Sequence, residues 1–192
     1  MRFPAAALAL FVALAVSASA VNICVPSCAA LHQKIQAAEA AAAPVPVVLA
    51  APDDQRAFGE KIVNTAMKFN RKVSYVRAGR DPNTGFDCSG LVWYVFRQNG
   101  VELPTSENAP WSTQQYLAGT QVGSSDMIPG DLIYFDFLDG SEQNQHIGIY
   151  VGDDRFIHSS MSHGVIVSPL FSSTYWKPKY VGSSRIPAPK AA

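Results

Sequence analysis

The chain has 192 residues, 48% hydrophobic and 16% charged, which suits one compact domain with extensions and is too apolar for disorder throughout. Fifteen Lys and Arg balance fifteen Asp and Glu with no basic run, which excludes an electrostatic footprint for nucleic acid or an anionic membrane surface.

Arg2, an apolar run from Ala5 to Val16 and Ser17-Ala18-Ser19-Ala20 follow one another as charged start, apolar stretch and A-x-A site. This order predicts a secretory signal over residues 1–20, cleaved after Ala20. The run is short for a membrane anchor and no stop-transfer pattern follows, so no membrane span is expected in the mature chain. Lipidation at Cys24 would want a small residue where Ile23 stands. Loss of Arg2 with the signal leaves a formal charge of −1. Residues 21–52, rich in Ala, Pro and Val, read as a tether with a short helix around Leu31 to Ala43, and His32 there reads as a solvated side chain. Cys24 and Cys28 are close enough to pair in an oxidising compartment, which leaves Cys88 as the free thiol.

A single domain is expected over 53–187, with a tail at 188–192. Asp53 or Asp54 caps a first helix whose apolar face is Phe58, Ile62, Val63, Ala66 and Met67, with Asn70 as its stop. Arg71 to Phe86 reads as a loop around Asp81-Pro82-Asn83-Thr84-Gly85. Asp87 opens a second helix, apolar almost all round and therefore central, which ends at Asn99-Gly100. A short helix is expected around Ser112 to Leu117. From Asp131 the pattern turns to short β-rich runs: Leu132 to Phe135, Ile147 to Val151, Arg155 to His158, Val165 to Val167, and Tyr180 to Ile186. Helices followed by a strand meander predict an α+β domain, with helices packed on one antiparallel sheet of five to six strands.

Thiol chemistry near neutral pH needs the thiolate, and Cys88 stands one residue after the expected cap Asp87, where unpaired N–H groups and the helix dipole favour negative charge. The expectation is a lowered thiol pKa, with Gly90 leaving the first turn open to a substrate carbonyl. His146 and His158 begin and end an apparent hairpin, symmetrical about Gly152. A loop of three or five residues sets them directly opposite on one side; a loop of two or four splits them between faces unless a bulge intervenes. The direct register is the one expected. Alternation then places Ile147, Ile149 and Val151 on one face and His146, Gly148 and Tyr150 on the other, with the Cys88 helix packed over Gly148. His163 reads as a turn residue. A histidine alone is more often structural; with a helix-start cysteine, the pair fits nucleophile, base and orienting group.

Four blocks occur in order: Phe86-Asp87-Cys88-Ser89-Gly90-Leu91-Val92, Pro129-Gly130-Asp131-Leu132-Ile133-Tyr134-Phe135, His146-Ile147-Gly148-Ile149-Tyr150-Val151-Gly152 and Phe156-Ile157-His158-Ser159-Ser160. In this the stretch from about Asp54 to Pro187 resembles the New lipoprotein C (NlpC) family of papain-like cysteine endopeptidases, which cut peptidoglycan stem peptides. The resemblance implies a papain-like fold with the nucleophile at the start of a buried helix. It implies Cys88 as nucleophile, His146 as general base, His158 as the orienting third residue and Tyr75 as an oxyanion donor beside the Cys88 N–H. Asp87 and Ser89 would contact substrate. Where the family often has Pro before the tyrosine, an aromatic two residues after it and then Gly-Gly, this chain has Ser74, Arg77 and Ala78-Gly79, so substrate preference near that loop stays open.

The reading that results is an exported, periplasmic or extracellular, monomeric thiol hydrolase acting through an acyl-enzyme, with a peptidoglycan peptide as substrate and no metal or organic cofactor. Competing readings are an acyl transferase or thioesterase on the same scaffold, a non-catalytic wall-binding module, and a Cys88/His146/His158 zinc site, for which a fourth ligand is wanting.

Overall fold

The computed structural model describes residues 52–106, 110–137 and 145–190. The expected signal, His32, the Cys24–Cys28 pair and nearly all of the tether lie outside the described residues. Helix α1, Pro52–Met67, has proline at its start, where a missing N–H is no loss, and Asp53 and Asp54 in a first turn that favours negative charge. Phe58, Ile62 and Ala66 face the core, as their spacing predicts, but Met67 ends the helix 40% exposed rather than on that face.

The stretch expected to be a plain loop contains two short strands, β1 (Arg80–Asp81) and β2 (Gly85–Phe86), paired antiparallel across Pro82-Asn83-Thr84. Asp81 Oδ1 accepts the Asn83 N–H at 2.7 Å and closes the turn. Helix α2, Cys88–Gln98, follows at once. Its cap is Asp87, whose Oδ1 accepts the Gly90 N–H at 2.6 Å. Leu91, Val92, Val95 and Phe96 are fully buried, while Trp93 and Tyr94 are half-buried, so the helix is central with one partly open side.

Helix α3 covers Trp111–Leu117, and the remaining strands are β3 (Thr120–Val122), β4 (Leu132–Asp136), β5 (Gln145–Gly152), β6 (Arg155–Ser160), β7 (Gly164–Pro169) and β8 (Tyr180–Arg185). They form one six-stranded antiparallel sheet in the order β3-β8-β4-β5-β6-β7. The α+β reading holds, with β3 as the unforeseen strand. Thr120 and Gln121 are exposed, so this edge strand has no apolar alternation to reveal it.

The two faces of the sheet are distinct. Leu132, Tyr134, Ile147, Ile149 and Ile157 pack against α1 and α2, whereas Ile133, Phe135 and Phe156 pack with Leu170, Tyr150 and Trp176. The Cys88 helix therefore lies on the Ile147/Ile149 face, not over Gly148 as expected. The large apolar residues of β5 and β6 decide this, because they supply the surface that α2 must cover.

The β5–β6 hairpin also differs from the expected register. Its loop is the two residues Asp153 and Asp154, both with positive φ (50° and 57°), between the paired Gly152 and Arg155. A bulge between Tyr150 and Gly152 shifts the register by one, so that Tyr150 pairs with Phe156 and Ile149 with Ile157. The shift returns both histidines to one face, but as diagonal rather than direct neighbours. Gly148 makes room for the diagonal, since a methyl there would stand 2.8 Å from the Ile157 carbonyl oxygen and 3.2 Å from the His158 Cβ. Gly148→Ala is expected to cost about 1–3 kcal/mol through overpacking. Urea unfolding of the variant measures this, and an unchanged midpoint would show that the hairpin has slack.

Candidate active site

The site is assembled around an extended segment. The Phe86 N–H donates to the Ser74 carbonyl at 3.1 Å, and the Phe86 carbonyl accepts the Val76 N–H at 3.1 Å. Tyr75 is thus clamped beside the residues that lead into α2. The same carbonyl accepts the Ser159 hydroxyl at 2.7 Å, a bond that spans 73 residues and ties the approach to Cys88 to strand β6, next to His158.

A cleft of about 640 Å³ is lined by Tyr75, Cys88, His146 and His158, together with Phe137, Gln145, Ser168 and Trp176. Four of the residues expected at the site therefore share one cavity. The backbone groups of Ile147, next in chain to His146, of Ser89 and of Cys88 itself favour negative charge on the Cys88 sulfur. These are the donors that a negative charge on the sulfur would meet.

The two histidines touch: His146 Nε2 and His158 Nδ1 are 2.8 Å apart, with the rings near perpendicular at 86°. On its far side, His158 Nε2 meets the Ser168 hydroxyl at 2.9 Å. For His146 to accept a proton at Nδ1 it must carry one at Nε2, which then donates to His158 Nδ1. His158 in turn carries its proton at Nε2, toward Ser168. One tautomer pair satisfies the whole chain and keeps His146 Nδ1 available for a second partner.

Trp176 and Ser168 were not foreseen. Trp176 stacks on His146 at 27° with centroids 5.2 Å apart and sets its edge against His158 at 4.8 Å, while Phe156 stacks on the other side of His158 at 4.6 Å. Trp176 lies in an irregular loop without periodicity to mark it. Ser168 shares a strand face with Ile166, the residue opposite His158, and a polar side chain at that alternate position was the available signal.

The electrostatics reverse one expectation. Burial, with the Asp87 carboxylate second, pushes the Cys88 thiol up to about 12, against the lowering by the backbone N–H groups. Burial pulls His146 down to about 3 and carries His158 well below its ordinary value. Both shifts favour a neutral thiol beside a neutral imidazole at rest. Tyr75 is raised by burial first and then by Cys88 and Asp87, which puts its hydroxyl in their field.

Asp87 and Ser89 do not line the cleft: Ser89 Oγ donates to Asp87 Oδ1 at 2.9 Å, and both serve the helix start. Gly90 likewise gives its space to the chain, since a methyl there would stand 1.9 Å from the Gly79 carbonyl oxygen, so the substrate approach expected over it is closed. His163 is exposed in the β6–β7 turn, hydrogen-bonded to Ser162 Oγ at 2.8 Å, and borders the cleft.

Known proteins are similar to this chain in sequence and fold. The model of the NlpC/P60 family matches residues 72–185. A gamma-DL-glutamyl hydrolase of Bacillus subtilis is 36% identical over 126 residues, which cover 65% of this chain and 28% of that protein. A murein DD-endopeptidase/murein LD-carboxypeptidase of Escherichia coli, MepS, is 37% identical over 111 residues, or 57% of this chain and 54% of that one. The match thus spans about half or less of these curated relatives. Among solved structures, an NlpC/P60 family protein from Bacillus cereus superposes with a TM-score of 0.58 at 28% identity, covering 68% of this chain and 40% of its own. Since the family model takes in more than half of the residues and the fold superposes on a solved member, the chain belongs to the NlpC/P60 family of cysteine peptidases.

Proposed function

We propose that the chain hydrolyses an amide bond in the peptide part of peptidoglycan through an acyl-enzyme. The observation that carries this reading is the 2.8 Å His146–His158 pair, which leaves a ring nitrogen free in the cleft that also holds Cys88. Cys88 Sγ attacks the carbonyl as His146 Nδ1 takes its proton. The imidazolium that forms is held by His158 Nδ1, which accepts from it, and His158 is steadied by Ser168. The Tyr75 hydroxyl and the backbone N–H of Cys88 receive the charge on the carbonyl oxygen. His146 returns the proton to the leaving amine, and water clears the thioester.

The name of one relative, a murein DD-endopeptidase, supports a wall-peptide substrate, and that of the other, a gamma-DL-glutamyl hydrolase, supports hydrolysis of a glutamyl bond. Mass analysis of muropeptides after digestion tests the reading and identifies the bond; a digest that releases no new amino terminus overturns it. Export follows from the same reading and from the A-x-A site after Ser17, with a tether over 21–52 and a domain over 53–187. Amino-terminal sequencing of the secreted protein should begin at Val21.

Cys88→Ala and Cys88→Ser are expected to abolish hydrolysis. His146→Gln should retain almost none, and His158→Gln, which only orients, a measurable remainder. Tyr75→Phe should lower turnover by about 10²-fold, the order of one oxyanion donor. Turnover of purified variants checks the series, and an active His146→Gln beside a dead His158→Gln would exchange their roles.

The pKa directions set two pH dependences. Histidines held neutral in the fold gain protons on unfolding once the pH drops below about 6.5, so stability is full above that value and falls toward pH 3. For His158, 1% exposed, the loss should reach about 2 kcal/mol by pH 5. Urea unfolding at pH 7 and pH 5 measures it, and His158→Gln should reduce the difference by about that amount, leaving the share of His146. In the free protein, alkylation of Cys88 by iodoacetamide should climb through the alkaline range; a plateau already present at about pH 6 would instead indicate a thiolate–imidazolium pair.

A further inference from the structure

A second hollow of about 420 Å³ opens beside the cleft and shares Tyr75, Met161, Ser162 and His163 with it. Arg71, Lys72 and Ser74 complete its polar lining, and no Asp or Glu borders it. Arg71, Lys72 and His163 are exposed, and neither Arg71 nor Lys72 forms an ion pair among the described residues.

The segment that carries the cations is held by its backbone. Arg71 adopts a left-handed φ of 58°, a conformation that costs any residue but glycine. Its N–H donates to the Val165 carbonyl at 2.7 Å, and the Val165 N–H donates to the Val73 carbonyl at 2.9 Å. The segment 71–73 is thus laced to strand β7, immediately after the turn that carries His163. This fixed backbone brings two cationic residues to line the hollow beside Tyr75.

We propose that this hollow is an anion subsite that binds a free carboxylate of the substrate peptide as the scissile amide reaches Cys88, with Arg71 and Lys72 as its charged contacts. It rests on the peptidase reading and adds a specificity element to it. A carboxylate fits because the hollow offers cations and hydroxyl groups, opens onto a peptide-sized cleft and holds no competing acid.

The test is calorimetric binding to the Cys88→Ala protein. The probes are a stem tetrapeptide with D-glutamate and diaminopimelate, and analogues with one carboxylate at a time converted to carboxamide. One amidation should weaken binding by about tenfold, the order of one charge-assisted contact. Arg71→Gln/Lys72→Gln in the same background should bind the unmodified peptide as weakly and no longer distinguish that analogue. The charge-conserving exchange Arg71→Lys/Lys72→Arg should restore most of the affinity, which separates loss of charge from loss of fold. Equal affinity for all the peptides, an unaffected double Gln variant, or an exchange that restores nothing would each overturn the subsite. Release of amines by the protein with Cys88 intact tests the peptidase reading separately; a protein that binds in this pattern and cuts nothing would fail that reading alone.

Discussion

Phe86 is the residue on which the site depends. Its backbone bonds to both neighbours of Tyr75, its carbonyl takes the Ser159 hydroxyl from the histidine strand, and its fully buried ring packs edge-on against Phe69 and tilted against Tyr94 of α2. One residue thus connects three pieces of chain that each deliver a functional group. Each bond is worth about 1 kcal/mol net, but leaving a buried carbonyl unpaired costs more, so the arrangement is held by what its loss would expose. A nucleophile on a helix and a base on a sheet need such a fixed joint, because displacement of one element by an ångström takes the reacting groups out of line.

The electrostatics of Cys88 show which of two effects wins. A helix start stabilises an anion by about 0.3–1 kcal/mol at exposed sites and up to ~2 in favourable burial, at most about one and a half pKa units. Burial works against it and is larger here, with the Asp87 carboxylate adding to it, so the thiol moves up from 9.0 to about 12. The cap that forms the helix is the same group that opposes the thiolate. In the proposed mechanism the N–H donors at the helix start act instead when charge appears during reaction, which is when an oxyanion site contributes.

The blocks around Cys88, His146 and His158 were legible because their cues are local: a capping Asp before an apolar helix, turn residues after a β-rich run, histidines at the ends of one hairpin. The helix start came out at Asp87 for that reason. The register of the hairpin did not, because Gly152-Asp153-Asp154 is compatible with several loops and the bulge at Val151 leaves no mark in residue type. The face covered by α2 was misjudged by weighing the bareness of Gly148 above the apolar surface of Ile147 and Ile149. Trp176 reaches the histidines only through tertiary packing and Ser168 through strand pairing, each ten or more residues away along the chain. The edge strand β3 was missed because its exposed side chains carry no alternation.

The protonation state of the resting site has a consequence for survival of the protein. Sulfur attacks peroxide as the thiolate, and the first product, a sulfenic acid, leads on to forms that no longer act as nucleophiles. A cysteine held as a neutral thiol in a half-closed cleft offers an oxidant little of the reactive form. In the proposed mechanism its reactivity is kept for the moment when a carbonyl occupies the cleft and His146 takes the proton. For a protein exported as proposed, that timing amounts to chemical shelter for the proposed nucleophile.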